Sequence, residues 1–330
     1  MAVLDIIRIS LYALLSMLLS PKRLQQRAWR TEYTFRLIKK LLNESSHKSI
    51  EWMREREAIL TPFSFALFKV IKQQEQLGGV SCISYAPKNL AKKDVPGTDQ
   101  ERLIVYLHGG GYVIGSAKGY RVTMAKLSLA LQSKVIGVDY RLAPEFEIPA
   151  AQDDCVSVIN ALLGDERTQG KKIIIMGDSA GAALCLSTLI SLKALNRHRA
   201  IHACVLISPW LVATHQEQLE LKHQQSDILD GEILTHWTST ILTNEPQQGA
   251  FLDLSTMDVA DLPPLYIQAA GAEVFTQQID SFVDRLASEN VNFHYDCFEN
   301  QFHVFQTFSP FICEADEALE KIADYLKTVP

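Results

Sequence analysis

A serine hydroxyl becomes a useful nucleophile only when a base takes its proton and donors receive the charge that forms on the substrate. Ser179 stands in Gly177-Asp178-Ser179-Ala180-Gly181, after the apolar run Ile173 to Met176 and before a run of small and apolar residues. Gly-x-Ser-x-Gly between a buried strand and a buried helix marks a turn so tight that its flanks tolerate almost no side chain. The serine is lifted clear of the sheet, and the first helical amides point at whatever it attacks. The pattern predicts Ser179 as nucleophile. The alternative is a tight strand-to-helix turn with an incidental serine.

Donors for the developing oxyanion are offered by His108-Gly109-Gly110-Gly111, which follows the apolar run at 102 to 107. The amides of Gly110, Gly111 and Ala180 are predicted to form an oxyanion hole, each donor contributing on the order of 3 kcal/mol of transition-state stabilisation. Gly110 and Gly115 have the spacing of a phosphate loop, but Ser116-Ala117 stands where Lys-Ser/Thr would be required, which argues against phosphate binding. With this kind of elbow the chain order is serine, acid, histidine. Of the histidines near the carboxyl end, His202 opens a strand and His294 lies within one, whereas His303, in "ENQFHVFQTF", falls in the loop after the last strand. His303 is therefore the predicted base. The acid should end the preceding strand, and "LPPLYIQAAGAEVFTQQID" presents Glu273 there, ahead of Asp280 in a helix and Asp296 in the next strand.

These groups need a scaffold that brings distant loops to one edge. Short β-rich runs at 80–87, 102–107, 134–140, 172–177, 203–208, 264–270 and 292–298 alternate with helical stretches near 119–132, 150–163, 180–196, 276–290 and 311–327. Continuous apolar strands separated by helices predict an α/β fold, with a mostly parallel central sheet covered by helices on both faces. Residues 1–75 read as amphipathic helix without a strand. Residues 212–246, longer than a crossover requires and helical through "GEILTHWTSTIL", read as an insertion above the sheet's carboxyl edge. The expected organisation is an N-terminal helical cap segment at 1–75, core at 76–211, cap insertion at 212–246 and core at 247–330. The segment 87–101 reads as a solvated connection.

The 330 residues are 47% hydrophobic, the composition of a folded globular chain of one large domain with an appendage, or of two domains. A net charge of −6 leaves no broad basic surface, so nucleic acid is excluded as an expected partner. The six cysteines show no metal-ligand spacing, and Cys185 and Cys204 lie in apolar runs, which suggests a reducing compartment and no structural metal. The opening "MAVLDIIRISLYALLSMLLS" lacks an early positive cluster and an A-x-A site, and Lys22, Arg23, Arg27 and Arg30 follow the apolar run. Leu4, Ile7, Leu11, Leu14 and Leu18 form a helical stripe, expected to dock on the protein's own body, with a membrane surface, and then a signal or anchor, as the alternatives. Cytoplasmic location is expected, with peripheral membrane contact through this helix and a homodimer both left open.

The motifs "HGGGY", "DYRLAPEFEIPAAQDD", "GDSAGAAL", "LPPLYIQAAGAEVF" and "FHVFQTF" occur in the order and at about the separations of the hormone-sensitive-lipase-like branch of the α/β-hydrolase superfamily. The chain resembles the bacterial carboxylesterases with a GDSAG elbow over roughly residues 80 to 330. The resemblance implies a Ser179, Glu273, His303 triad, an oxyanion hole at Gly110, Gly111 and Ala180, and a helical cap. It also implies hydrolysis of short- to medium-chain acyl esters, small-molecule substrates, without metal or cofactor. Two positions depart from the common pattern. Many relatives carry aspartate where Glu273 stands, and a carboxylate common four residues later is Gln277 here. Asp178, Asp139, Arg141 and Glu145 match positions that look architectural. Amide or peptide hydrolysis by the same triad, and ligand binding without catalysis, remain the rival expectations, and the apolar N-terminal stripe favours a lipophilic substrate entering beside the first helix.

Overall fold

All seven apolar runs are strands, and an eighth precedes them. The computed structural model describes residues 2–19, 27–60, 64–91, 102–213, 223–242 and 252–329, with backbone alone at 2–6, 56–60 and 91. The strands are β1 (Val70–Leu77), β2 (Val80–Pro87), β3 (Arg102–Leu107), β4 (Lys134–Val138), β5 (Lys172–Asp178), β6 (Ile201–Ile207), β7 (Leu265–Ala270) and β8 (Phe293–Phe298). They form one sheet in the order β1-β2-β4-β3-β5-β6-β7-β8. β1 and β2 pair antiparallel, as do β2 and β4, and every other pair is parallel.

The apolar runs lack alternation because the central strands are buried on both faces. Along β3, Leu103, Val105 and Leu107 face one cluster, shared with α5 (Ile148–Gly164), α6 (Ala180–Ala194) and α8 (Thr276–Ser288). Ile104 and Tyr106 face the other, shared with α4 (Arg121–Leu131) and α9 (Cys313–Thr328). The parallel strands all point their carboxyl ends to one edge, where a doubly wound sheet places its ligand site.

β1 corrects the reading of residues 1–75 as strandless. Its sequence, VIKQQEQL, is polar, and between the buried Val70 and Leu77 nearly every residue is exposed. An edge strand with so little buried face carries no apolar alternation for a sequence to display. Before it come α1 (Ala2–Leu19), α2 (Trp29–Ser45) and α3 (Ile50–Leu60), and in the later insertion lies α7 (Gly231–Ile241). Arg54 of α3 ties this helical layer to the core, donating to both oxygens of Glu145 (2.7 and 3.0 Å) and to the carbonyls of Val113 and Ala143.

α1 corrects a second expectation. It packs on α2 through Ile9 and Ala13, both buried, and Tyr33 donates to Ser10 at 3.0 Å. The stripe drawn from the sequence faces outward: Ile7 is 51% exposed, Leu11 55%, Leu14 47% and Leu18 78%. Apolar residues surround this helix on almost every face, so periodicity could not single out the packed side. The packed side carries Ile9 and the small Ala13 instead. The side chain of Leu4, Lys22 and Arg23, most of the connection at 87–101, and parts of the 212–246 insertion lie outside the described residues. Among the described residues no helix is long and apolar enough to cross a membrane.

Candidate active site

Four loops meet at the carboxyl edge. β5 leads into Ser179, β3 into His108 to Gly111, β7 into Glu273, and β8 into His303. The elbow is as tight as its sequence suggests. A Cβ on Gly181 would lie 2.1 Å from the carbonyl oxygen of Leu107, and one on Gly177 would lie 2.5 Å from that of Gly181. Ser179 itself has φ of 53°, in the left-handed region that non-glycine residues rarely occupy, and its amide donates to the carbonyl of Ile207 at 2.8 Å. Val304, beside the proposed base, is also left-handed at φ 48°. For a β-branched residue such a backbone is an outlier, so strained backbone lies at Ser179 and at the residue that follows His303.

His303 Nε2 lies 2.9 Å from Ser179 Oγ, and His303 Nδ1 lies 2.7 Å from Glu273 Oε2. An ionised carboxylate only accepts, so Nδ1 carries the proton towards Glu273 and Nε2 is left to accept from the serine. Glu273 Oε1 accepts from the amide of Ala270 at 2.8 Å, which holds the carboxylate to the end of its own strand. All three side chains are buried, and the ring of Phe275 meets the imidazole edge-on at 5.0 Å. Burial opposes the imidazolium. The hydrogen bond and charge of Glu273, with the charges of Asp227 and Asp178, outweigh it and hold the pKa of His303 above its ordinary value. The other candidates stand elsewhere: Asp280 accepts from Tyr295 (3.0 Å), Asp296 accepts from Tyr266 (2.6 Å), and His294 lies within β8.

Across from the serine, Gly110 (φ 110°) and Gly111 (φ 60°) adopt backbone that side chains disfavour. A Cβ on Gly110 would collide with the carbonyl of Ile114 at 2.3 Å, and one on Gly111 with the ring of Trp237 at 2.5 Å. The carbonyl of Gly110 accepts from the amides of Val113 and Ile114, which folds the loop back on itself. Gly109 is fixed by Asp178, whose buried carboxylate accepts from the Gly109 amide (3.1 Å) and from the hydroxyls of Tyr106 (2.8 Å) and Tyr120 (2.9 Å). Burial raises the pKa of Asp178 to about 6, against the pull of those hydrogen bonds. His108 stacks on Tyr140 at 4.3 Å, and burial pushes its pKa down to about 4, so it is neutral at pH 7 and structural. Asp139 accepts from the amide of Ala117 at 2.7 Å, and Arg141 grips Asp154.

Ser179 and His303 open on a cavity of about 770 Å³ roofed by α2, α3 and α7, with Tyr33, Leu37, Leu41, Trp52 and Trp237 among its walls and Trp29 and Phe311 half-exposed on its lining. One residue of this site was not read from the sequence. Asp227, from the insertion, is fully buried; its Oδ1 accepts from the amides of His303 (2.8 Å) and Ile228 (2.7 Å), and its Oδ2 from the amide of Val274 (2.8 Å). Because its partners are backbone amides, no side-chain motif advertises it. Gln277, at the position where relatives often carry a second carboxylate, is exposed.

A mostly parallel α/β sheet with a serine, histidine and carboxylate in hydrogen-bonded series at its carboxyl edge defines a hydrolase of the α/β class. The alpha/beta hydrolase fold family model matches residues 104–307, more than half of the chain, and the protein belongs to that family, in its hormone-sensitive-lipase-like branch. It is 32% identical over 226 residues to an esterase of Acinetobacter venetianus, covering 68% of this chain and 74% of that one. It is 27% identical over 234 residues to an acetyl-hydrolase of Streptomyces hygroscopicus, covering 71% of this chain and 78% of the relative. Among solved structures, an esterase of the bacterial hormone-sensitive lipase family superposes with a TM-score of 0.77 at 25% identity, over 88% of this chain and 96% of that one.

Proposed function

We propose that the protein is a serine carboxylesterase that hydrolyses short- to medium-chain acyl esters through Ser179, His303 and Glu273. The observation that carries the reading is the unbroken series from Ser179 Oγ through the imidazole to Glu273, at 2.9 and 2.7 Å. His303 Nε2 takes the hydroxyl proton as Oγ bonds to the ester carbonyl carbon, and the carbonyl π electrons move to oxygen. The amides of Gly110, Gly111 and Ala180 receive that oxyanion. The C–O bond then breaks, His303 returns the proton to the departing alcohol, and an acyl-serine remains. Water repeats the sequence, releasing the acid and restoring Ser179. Glu273 holds the tautomer and stabilises the imidazolium. Relatives named esterase and acetyl-hydrolase support ester rather than amide chemistry.

The cavity's volume suits a small lipophilic ester, and its aromatic and aliphatic walls favour apolar acyl chains. The outer face of α1 supports delivery of that substrate from a lipid surface. Ile7, Leu11, Leu14, Leu15, Leu18 and Leu19 are all exposed there, and Trp29, at the start of the helix α1 packs against, also lines the cavity. The test is a p-nitrophenyl ester series of increasing acyl length with Ser179→Ala as control. Turnover should disappear in Ser179→Ala with the fold retained, and an organophosphonate should label wild-type Ser179. Retention of most activity by Ser179→Ala, or an anilide cleaved as fast as its matched ester, would overturn the reading.

A further inference from the structure

We propose that Asp227 is a positioning residue for the triad: its carboxylate, supplied by the cap, clamps the loop bearing His303 to the loop bearing Glu273, so that the segment 223–230 sets the alignment of base and acid. The proposal rests on the triad reading above.

The two loops arrive from adjacent strands and are joined ahead of the acid and the base by the amide of Gly271 on the carbonyl of Phe298 (2.9 Å) and that of Ala272 on the carbonyl of Gln301 (3.1 Å). Asp227 extends that link to the acid and the base themselves. One of its oxygens takes the amide of the base itself, and the other takes the amide of Val274, the residue that follows the acid. Both bonds are 2.8 Å long and both lie in the interior. A buried carboxylate is costly unless donors surround it. Three amides do so here, counting its own neighbour Ile228. Ser226, next in the segment, adds a bond from its hydroxyl to the carbonyl of Ala272 at 3.3 Å, just before the acid.

The clamp is itself held from α2 and the chain that enters it. Lys39 Nζ donates to the carbonyls of Asp227 (2.6 Å) and Gln224, while Arg27 donates to the carbonyls of Ser226 (2.6 Å) and Asn300. The guanidinium of Arg27 also lies over the rings of Phe35 and Phe302, the latter adjacent to the base. A mere anchor for a surface loop could have bonded any part of the core. This segment instead bonds the amides next to, or belonging to, two of the three proposed catalytic residues.

A charged clamp also leaves an electrostatic trace that packing alone would not. The carboxylates facing the imidazole are Glu273, Asp227 and Asp178, and all three favour its protonated form. The groups facing Asp227 are His303, Glu273 and the ammonium of Lys39 on its carbonyl. Replacing Asp227 by its neutral isostere should therefore lower the pKa of His303 as well as loosen the loops.

The experiment compares wild type, Ser179→Ala and Asp227→Asn on one dissolved p-nitrophenyl ester, with organophosphonate labelling and the pH profile of kcat/KM. Labelling of the wild type and inactivity of Ser179→Ala establish Ser179 as the nucleophile, and their failure would sink the triad reading rather than the clamp. With the triad intact, Asp227→Asn should lower kcat about 10- to 100-fold, the range expected when a reacting group is displaced by a fraction of an ångström to one ångström. KM should stay within about twofold, labelling should slow in proportion to kcat, and the acid limb should move to lower pH. Unchanged kcat with an unmoved acid limb overturns the clamp, even if thermal stability falls, as does a change confined to KM. Should Asp227→Asn not fold, Lys39→Met reads the same linkage from α2: a kcat about threefold lower at constant KM supports it, and unchanged kcat overturns it.

Discussion

The amide of Gly109 donates to Oδ1 of Asp178 at 3.1 Å, so the residue preceding the proposed nucleophile also holds the glycine loop that faces it. Ser179 and the glycine loop that carries the proposed oxyanion donors are thereby joined, and the space between them has no room for a side chain at Gly109, whose Cβ would lie 2.3 Å from Oδ2. Asp178→Asn keeps the shape but presents a donor where Tyr106, Tyr120 and Gly109 all offer hydrogens. Thermal unfolding should report a loss of about 1–3 kcal/mol, the cost of a mismatched buried hydrogen-bonding group. The kcat should fall with it while phosphonate labelling slows. A variant as stable and active as wild type would remove Asp178 from this role.

Gly111 offers a sharper test of the oxyanion loop. Gly111→Ala places a methyl 2.5 Å from the Trp237 ring at a backbone φ of 60°. The loop must shift, and loss of one donor geometry should cost about 10²- to 10³-fold in kcat. Steady-state kinetics with a fixed ester measures it, and circular dichroism should show the fold unchanged.

The acid limb of kcat/KM reports the base. In the proposed mechanism the free enzyme needs neutral His303, so activity should fall as pH drops through the pKa of that residue. Since Glu273, Asp227 and Asp178 together hold that pKa above 6.5 despite burial, the midpoint should lie above 6.5. Glu273→Gln removes a charge and an acceptor. Its acid limb should move to lower pH while kcat drops by about 10³- to 10⁴-fold, as for other triads that lose their orienting acid. An acid limb that stays in place would mean a different group titrates.

The outward face of α1 predicts lipid binding. Replacing Leu11, Leu15 and Leu18 together by glutamate removes three apolar side chains, each contributing about 1 kcal/mol or more when inserted in an interface. Affinity for phosphatidylcholine vesicles in a sedimentation assay should fall by roughly a hundredfold or more, while turnover of a dissolved short ester stays the same. If the wild type does not sediment with vesicles but elutes as a dimer that the substitutions dissociate, a second copy covers this face and the lipid reading is wrong.

The residues proposed to react could be chosen from the sequence because chemistry restricts residue type and topology restricts position. Ser179 lies between glycines that admit no Cβ, and His303 and Glu273 stand where strands end at the correct edge. β1 was not legible, since a polar edge strand is specified by pairing with β2 and not by a buried face. The packed side of α1 was hidden by apolar residues on its other sides. Asp227 was hidden for another reason: it acts on main-chain amides, which every residue possesses, so neither its own type nor that of its partners marks the contact.

Local order along the chain determined which residues are proposed to react, because nucleophile, acid and base of this kind follow in sequence at successive strand ends of a doubly wound sheet. Only the tertiary structure decided how they are held. Hydrogen bonds that join Asp227 to residues far along the chain, or Asp178 to Gly109, exist once the sheet has brought separate loops together. Such bonds depend on distance in space, for which the chain carries no local pattern.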